Sequence, residues 1–129
     1  MPEKYIRGVR PSAKYQKLFE KYNRLYYDGE LPPTIVSTAP LLKITQLTQK
    51  EVLKPEKLDT GDYACLAYVG KQPYIILDRG TAVFHQLITH QSLLHEMAHL
   101  YLMPYKWHGE RFKAEMRRLA AMGAFDGLL

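Results

Sequence analysis

Cysteine is nearly absent, with Cys65 the only one in 129 residues. A single thiol excludes an internal disulfide framework and any thiolate-built zinc ribbon or finger, so a metal held by this chain must be held by histidine and carboxylate. Long apolar runs are missing as well. No segment approaches the roughly 20 apolar residues of a membrane span. The opening residues, Met-Pro-Glu-Lys-Tyr-Ile-Arg, carry no apolar stretch of the secretory type. The expectation is an intracellular protein, in the cytoplasm, nucleoid or nucleus, that is not secreted and has no membrane partner. Internal repeats, low-complexity tracts and linker-like stretches are also lacking, which leaves one domain over residues 1–129. Acidic charge is scarce at one end. Residues 1–24 hold seven Lys/Arg against Glu3 and Glu20, so this segment accounts for the whole net charge of +5, while the rest of the chain balances.

What is present is a folding composition, 47% hydrophobic and 24% charged. Ser12 is placed to cap a first helix. Tyr15, Leu18, Phe19, Tyr22, Leu25 and Tyr26 follow its apolar periodicity, and Asp28-Gly29 ends it. Lys14, Lys17, Lys21 and Arg24 fall on a separate arc of roughly 80°. Thr34 to Thr38 reads as a strand. Leu41 to Thr48 reads as a second strand, although Leu41, Leu42, Lys43 and Ile44 do not settle the period. Gln49 to Asp62 reads as a polar loop. Tyr63–Val69 and Tyr74–Asp78 read as a hairpin across Gly70-Lys71-Gln72-Pro73. Phe84 to Leu102, free of Gly and Pro, reads as one helix closed by Pro104. A last helix spans about Gly109 to Met122 with Phe112, Met116, Leu119 and Ala120 on its apolar side. The order predicts an α+β fold with helices packed on a small, mostly antiparallel sheet.

Inside the central helix, residues 95–99 read His-Glu-Met-Ala-His. Residues four apart on a helix lie about 40° apart on one face. His95 and His99 can therefore offer two imidazoles to one Zn²⁺, with Glu96 beside them as general base for an attacking water. With five histidines in the chain, random placement would yield this pattern roughly once in a hundred such sequences. Leu93, Leu94, Met97, Ala98, Leu100, Tyr101 and Leu102 make the helix apolar on most sides, so it belongs in the interior. Histidines and a carboxylate buried there need partners, because unpaired burial costs several kcal/mol.

A catalytic zinc takes three protein ligands and leaves one position open. Leu102 and Tyr105 stand where the metzincin pattern requires Gly and His. Glu110 or Glu115, from the following helix, is one option. His108 is the favoured third ligand: Pro104 breaks the helix, residues 105–107 can turn the chain back, and Gly109 permits close approach. His90 is some 140° around the helix from His95, and His85 is more than two turns away from it. Both read as surface or hydrogen-bonded structural residues. Tyr101 and Tyr105 read as packing residues, with oxyanion stabilisation the weaker option.

Three blocks of this sequence resemble the SprT-like zinc metallopeptidases, the family that includes Spartan. They are Leu-Phe-Glu-Lys-Tyr-Asn-Arg-Leu-Tyr-Tyr-Asp-Gly-Glu-Leu-Pro (18–32), Pro-Tyr-Ile-Ile-Leu-Asp (73–78), and the stretch from Leu93 to Lys113 that holds both the His-Glu motif and Trp-His-Gly-Glu-Arg-Phe-Lys. The resemblance implies a zincin-like core in which His95, His99 and His108 bind one Zn²⁺ and Glu96 is the catalytic base. It also implies proteolysis of DNA-bound or DNA-crosslinked protein substrates. Larger members carry further zinc or DNA-binding modules, and one cysteine cannot build a ribbon within these residues. The basic stripe of Lys14, Lys17, Lys21 and Arg24 is the candidate DNA contact in their stead. Two other readings compete. One is a zinc-stabilised nucleic-acid-binding module that has lost catalysis, which would have no need of Glu96. The other is a regulatory metallopeptidase of the ImmA/IrrE type that cuts a repressor, which the block 18–32 disfavours.

Overall fold

The computed structural model describes residues 6–50, 64–103 and 109–127, with the side chains of residues 48–50 left outside the description. After a two-residue strand β1 (Arg10–Pro11), helix α1 (Ala13–Tyr27) starts where Ser12 Oγ accepts the Tyr15 N–H at 3.2 Å, the expected N-cap. It stops where Asp28 and Gly29 both turn left-handed, at φ 52° and 74°. Asn23 closes that turn twice: its carbonyl accepts the Gly29 N–H at 2.9 Å and its side chain accepts the Leu31 N–H at 3.1 Å. The buried side of α1 is Tyr15, Phe19, Tyr22 and Tyr27. Leu25, expected on that side, is exposed, and Tyr27 is buried instead.

Strand β2 (Ile35–Ala39) follows, one residue later than expected. Leu41–Lys50, expected as a strand that runs on into a loop, is helix α2. Pro40, whose fixed φ suits a helix start, accepts the N–H groups of Lys43 and Ile44 at 2.9 and 3.2 Å. Ile44 and Leu47, one turn apart, face the sheet, while Leu41 and Leu42 face solvent. Four ambiguous residues could not choose between periods, and packing on the sheet does. Gln49 and Lys50 belong to this helix, and the remainder of the expected loop lies outside the described residues.

Strands β3 (Ala64–Val69) and β4 (Gln72–Asp78) form the expected hairpin. Its turn is only Gly70-Lys71, because Pro73 sits within β4 opposite Tyr68. β4 pairs in parallel with β2, from Ile35 opposite Tyr74 to Ala39 opposite Asp78, and β1 pairs antiparallel with the far side of β2. The order is β1-β2-β4-β3. The sheet expected to be mostly antiparallel is thus mixed, with a parallel pair at its centre. Parallel neighbours need a crossover connection, and α2 forms part of it.

The helices cover both faces of the sheet. Val36, Ala64, Ile75 and Leu77 pack against α1 and the two later helices that carry the site. Ala39, Cys65, Ala67, Tyr74 and Ile76 pack against Ile44, Leu47 and Val9. Burial on both faces explains why β4 reads as a continuous apolar run rather than an alternation.

The helix expected over 84–102 is α4 (Gln86–Tyr101), and a short unexpected helix, α3 (Arg79–Phe84), precedes it across a break at His85, where φ is −137° and ψ 71°. The Asp78 carboxylate caps α3 by accepting the Thr81 N–H at 3.1 Å and its hydroxyl at 2.6 Å. The Arg79 guanidinium donates to the Thr38 hydroxyl and carbonyl at 3.2 and 3.0 Å. The Thr89 hydroxyl donates to the His85 carbonyl at 3.1 Å. The start of α3 is therefore tied to the C-terminal ends of β2 and β4, and α4 follows it directly across His85. Leu93, Leu94, Met97 and Ala98 are then fully buried, each large side chain contributing about 1.5–3 kcal/mol. Helix α5 (Glu110–Ala121) packs back on α4 through Phe112 and Leu119. Ala120, expected on its apolar side, is exposed, and Glu115 is buried in its stead. None of the described helices is long and apolar enough to cross a membrane.

Candidate metal centre

Helix α4 presents His95 and His99 side by side, both half-buried, with their Nε2 atoms 3.2 Å apart. Two nitrogens bound at 2.0–2.1 Å to one tetrahedral ion would stand about 3.3 Å apart. The imidazoles therefore already converge to the spacing a shared zinc requires, and the donor set suits that ion. Glu96 lies about 60° around the helix from His99 and about 100° from His95. It is only 6% exposed, which places a carboxylate in a low-dielectric setting next to the pair.

The wall of this site comes from α5. The Phe112 ring lies nearly parallel to His99, with centroids 4.5 Å apart and planes at 24°, and it meets the His95 ring at 4.8 Å and 59°. Periodicity places Phe112 on the apolar side of its helix, and the structure sets that side against the histidines. A signal was present in His-Gly-Glu-Arg-Phe, which sets an aromatic residue four positions after the favoured third ligand.

His108 lies outside the described residues, as do Pro104–Trp107. Among the described residues no group of three His, Cys, Asp or Glu side chains gathers at one point, so neither Glu110 nor Glu115 joins the histidine pair in such a group. Glu115 has another engagement. Its two oxygens accept from Arg118 Nε at 2.9 Å and Nη2 at 2.7 Å, the bidentate geometry that makes Arg–carboxylate pairs strong. The same guanidinium lies over the rings of Tyr27 and Tyr101, at 4.9 and 5.9 Å, and those rings are 5.2 Å apart. Burial, and then the adjacent Glu115 carboxylate, push the Tyr27 hydroxyl well above the usual tyrosine range. The cluster joins the C-terminal ends of α1 and α4 to α5. It gives Tyr27 its buried position, and it gives Tyr101 the packing role expected of it. Tyr105 lies outside the described residues.

Lys14, Lys17, Lys21 and Arg24 are all exposed on α1. His90 belongs to their side of α4: its Nδ1 is 3.1 Å from the Tyr22 hydroxyl, and its ring meets Tyr15 edge-on. Burial, followed by the charges of Lys14 and Lys21, holds the His90 pKa below the ordinary histidine value. His90 is thus a hydrogen-bonded structural residue, as expected, and the cationic stripe lies on a different side of α4 from the metal pair. His85, at the α3–α4 break, is exposed.

In comparison with known proteins, the chain matches no family model, no curated protein and no solved structure.

Proposed function

We propose that this chain is a zinc-dependent endopeptidase of the SprT-like type, with a zincin-like core. The observation that carries the reading is the convergence of His95 and His99 Nε2 to 3.2 Å beside a buried Glu96 on one helix. His95 and His99 would hold the ion, and His108 is the proposed third ligand. In support of His108, Phe112, four residues further on, lies against both imidazoles, so the first turn of α5 reaches the pair. Bound Zn²⁺ would supply Lewis acidity that brings the pKa of a water towards neutrality and polarises a peptide carbonyl. Glu96 takes the proton from the attacking water and returns it to the leaving amine. Its burial keeps the carboxylate oriented and its proton transfers local.

The proposed substrate is protein, and the four exposed cations of α1 support substrates held on DNA. The test uses zinc-loaded wild type and Glu96→Gln, assayed for self- and substrate cleavage with no DNA, with single strands and with duplex. The wild type cleaves, while Glu96→Gln retains zinc and loses turnover by at least two orders of magnitude. Normal cleavage by Glu96→Gln refutes the base assignment, and equal wild-type cleavage without DNA removes the DNA-directed part alone. His108→Ala should lower bound zinc, and unchanged metal content removes it from the ligand set.

A further inference from the structure

We infer that Phe112 is a positioning residue for the metal ligands, an α5 side chain that locks the His95 and His99 imidazoles in their convergent orientation. The inference rests on the reading of the histidine pair as a metal centre. An imidazole on a helix can rotate about its outer torsion through a broad, roughly two-fold well, and a neighbour packed on the ring face restricts that rotation. Phe112 is such a neighbour for both rings at once, stacked on His99 at 4.5 Å and tilted against His95 at 4.8 Å. Turning His99 out of its plane would drive its edge into the Phe112 face. Phe112 is itself buried, packed in the core cluster with Leu93, Met97 and Leu119. Helix α5 is held at a second point by the Glu115–Arg118 pair, whose guanidinium lies over Tyr27 of α1 and Tyr101 of α4. The ring is therefore fixed from both ends of the helix contact. Residues that orient ligands without touching the ion affect metal affinity by about 10–100-fold in known sites.

The experiment measures zinc affinity by competition with a chromophoric chelator, and the visible absorption of the Co²⁺-loaded protein, for wild type, Phe112→Leu and Phe112→Tyr. Leucine keeps the apolar bulk and loses the flat face; tyrosine keeps the face. Phe112→Leu should bind zinc about tenfold more weakly and shift the Co²⁺ band, while Phe112→Tyr retains wild-type affinity and band. Equal affinity and an unchanged band in Phe112→Leu overturn the inference, as does a Phe112→Tyr variant as weak as Phe112→Leu. The wild type alone provides a readout that needs no variant. Stacking under Phe112 should move the His99 ring protons upfield in the metal-free protein, and ordinary shifts there refute the contact. A wild type that binds neither zinc nor cobalt fails the metal-centre reading itself, a result distinct from a variant that matches it.

Discussion

Arg118→Met takes away both hydrogen bonds that Arg118 donates to the Glu115 carboxylate, and leaves that carboxylate in a site only 5% exposed. Breaking a fully buried ion pair from one side costs about 3–5 kcal/mol. The Arg118 side chain is 37% exposed, so water already screens part of the pair, and about 2 kcal/mol is the expected loss. For a chain of this length that lowers Tm by about 8 °C. Urea unfolding in the presence of a chelator measures the loss without metal. The double variant Glu115→Gln/Arg118→Met should lose at least about 1 kcal/mol less than the sum of the two single variants, because it strands no charge. Metal-free Arg118→Met that unfolds at the wild-type urea midpoint would show the pair to be solvated and the reasoning wrong. A Glu115→Gln defect confined to the zinc-loaded protein would return Glu115 to the ligand set.

His90 binds a proton less readily in the folded protein than in the unfolded chain, because burial and the charges of Lys14 and Lys21 oppose the imidazolium. Stability should therefore be full above the unfolded value of about 6.5 and decline as pH falls through the lower folded value. His90→Gln removes that part of the acid slope, and Lys14→Ala or Lys21→Ala raises the His90 titration midpoint in NMR. A His90 midpoint at or above 6.5 refutes the assigned environment. Asn23→Ala leaves the Leu31 N–H without its side-chain acceptor and should cost about 1 kcal/mol in urea unfolding. A loss below about 0.3 kcal/mol would mean that water replaces the bond freely.

Much of the fold is legible locally. The Ser12 cap, the Asp28-Gly29 stop and the β3–β4 hairpin each depend on residues within a few positions of one another. The apolar surround of the motif likewise announces a buried segment: Leu93, Leu94, Met97, Ala98 and Leu100 are buried, while Tyr101 at the end of α4 is exposed. Leu41–Lys50 misled because its first four residues suit either period, and only Ile44 and Leu47 meeting the sheet selects the helix. That helix also forms part of the crossover between the parallel neighbours β2 and β4. Helix α3 goes unread because its start rests on the Asp78 cap and on Arg79 reaching Thr38 of a distant strand, and the extended φ of His85 separates it from α4. Ala120 and Glu115 exchanged places for a non-local reason: a glutamate is tolerated inside when an arginine one turn away neutralises it, and Tyr27 and Tyr101 supply the rings that cover both.

The candidate site divides along the same line. Helical geometry makes residues four apart neighbours wherever the helix sits, so the pairing of His95 with His99, and the placing of Glu96 beside them, could be read from spacing alone. The Phe112 stack on the histidines and the Arg118 contacts with Tyr27 and Tyr101 bring α5 against α4 and α1, and such contacts depend on how helices dock rather than on how each one winds. A side chain's partner within a turn is written in the local chain, whereas its partner across an interface is selected by packing that no short segment contains.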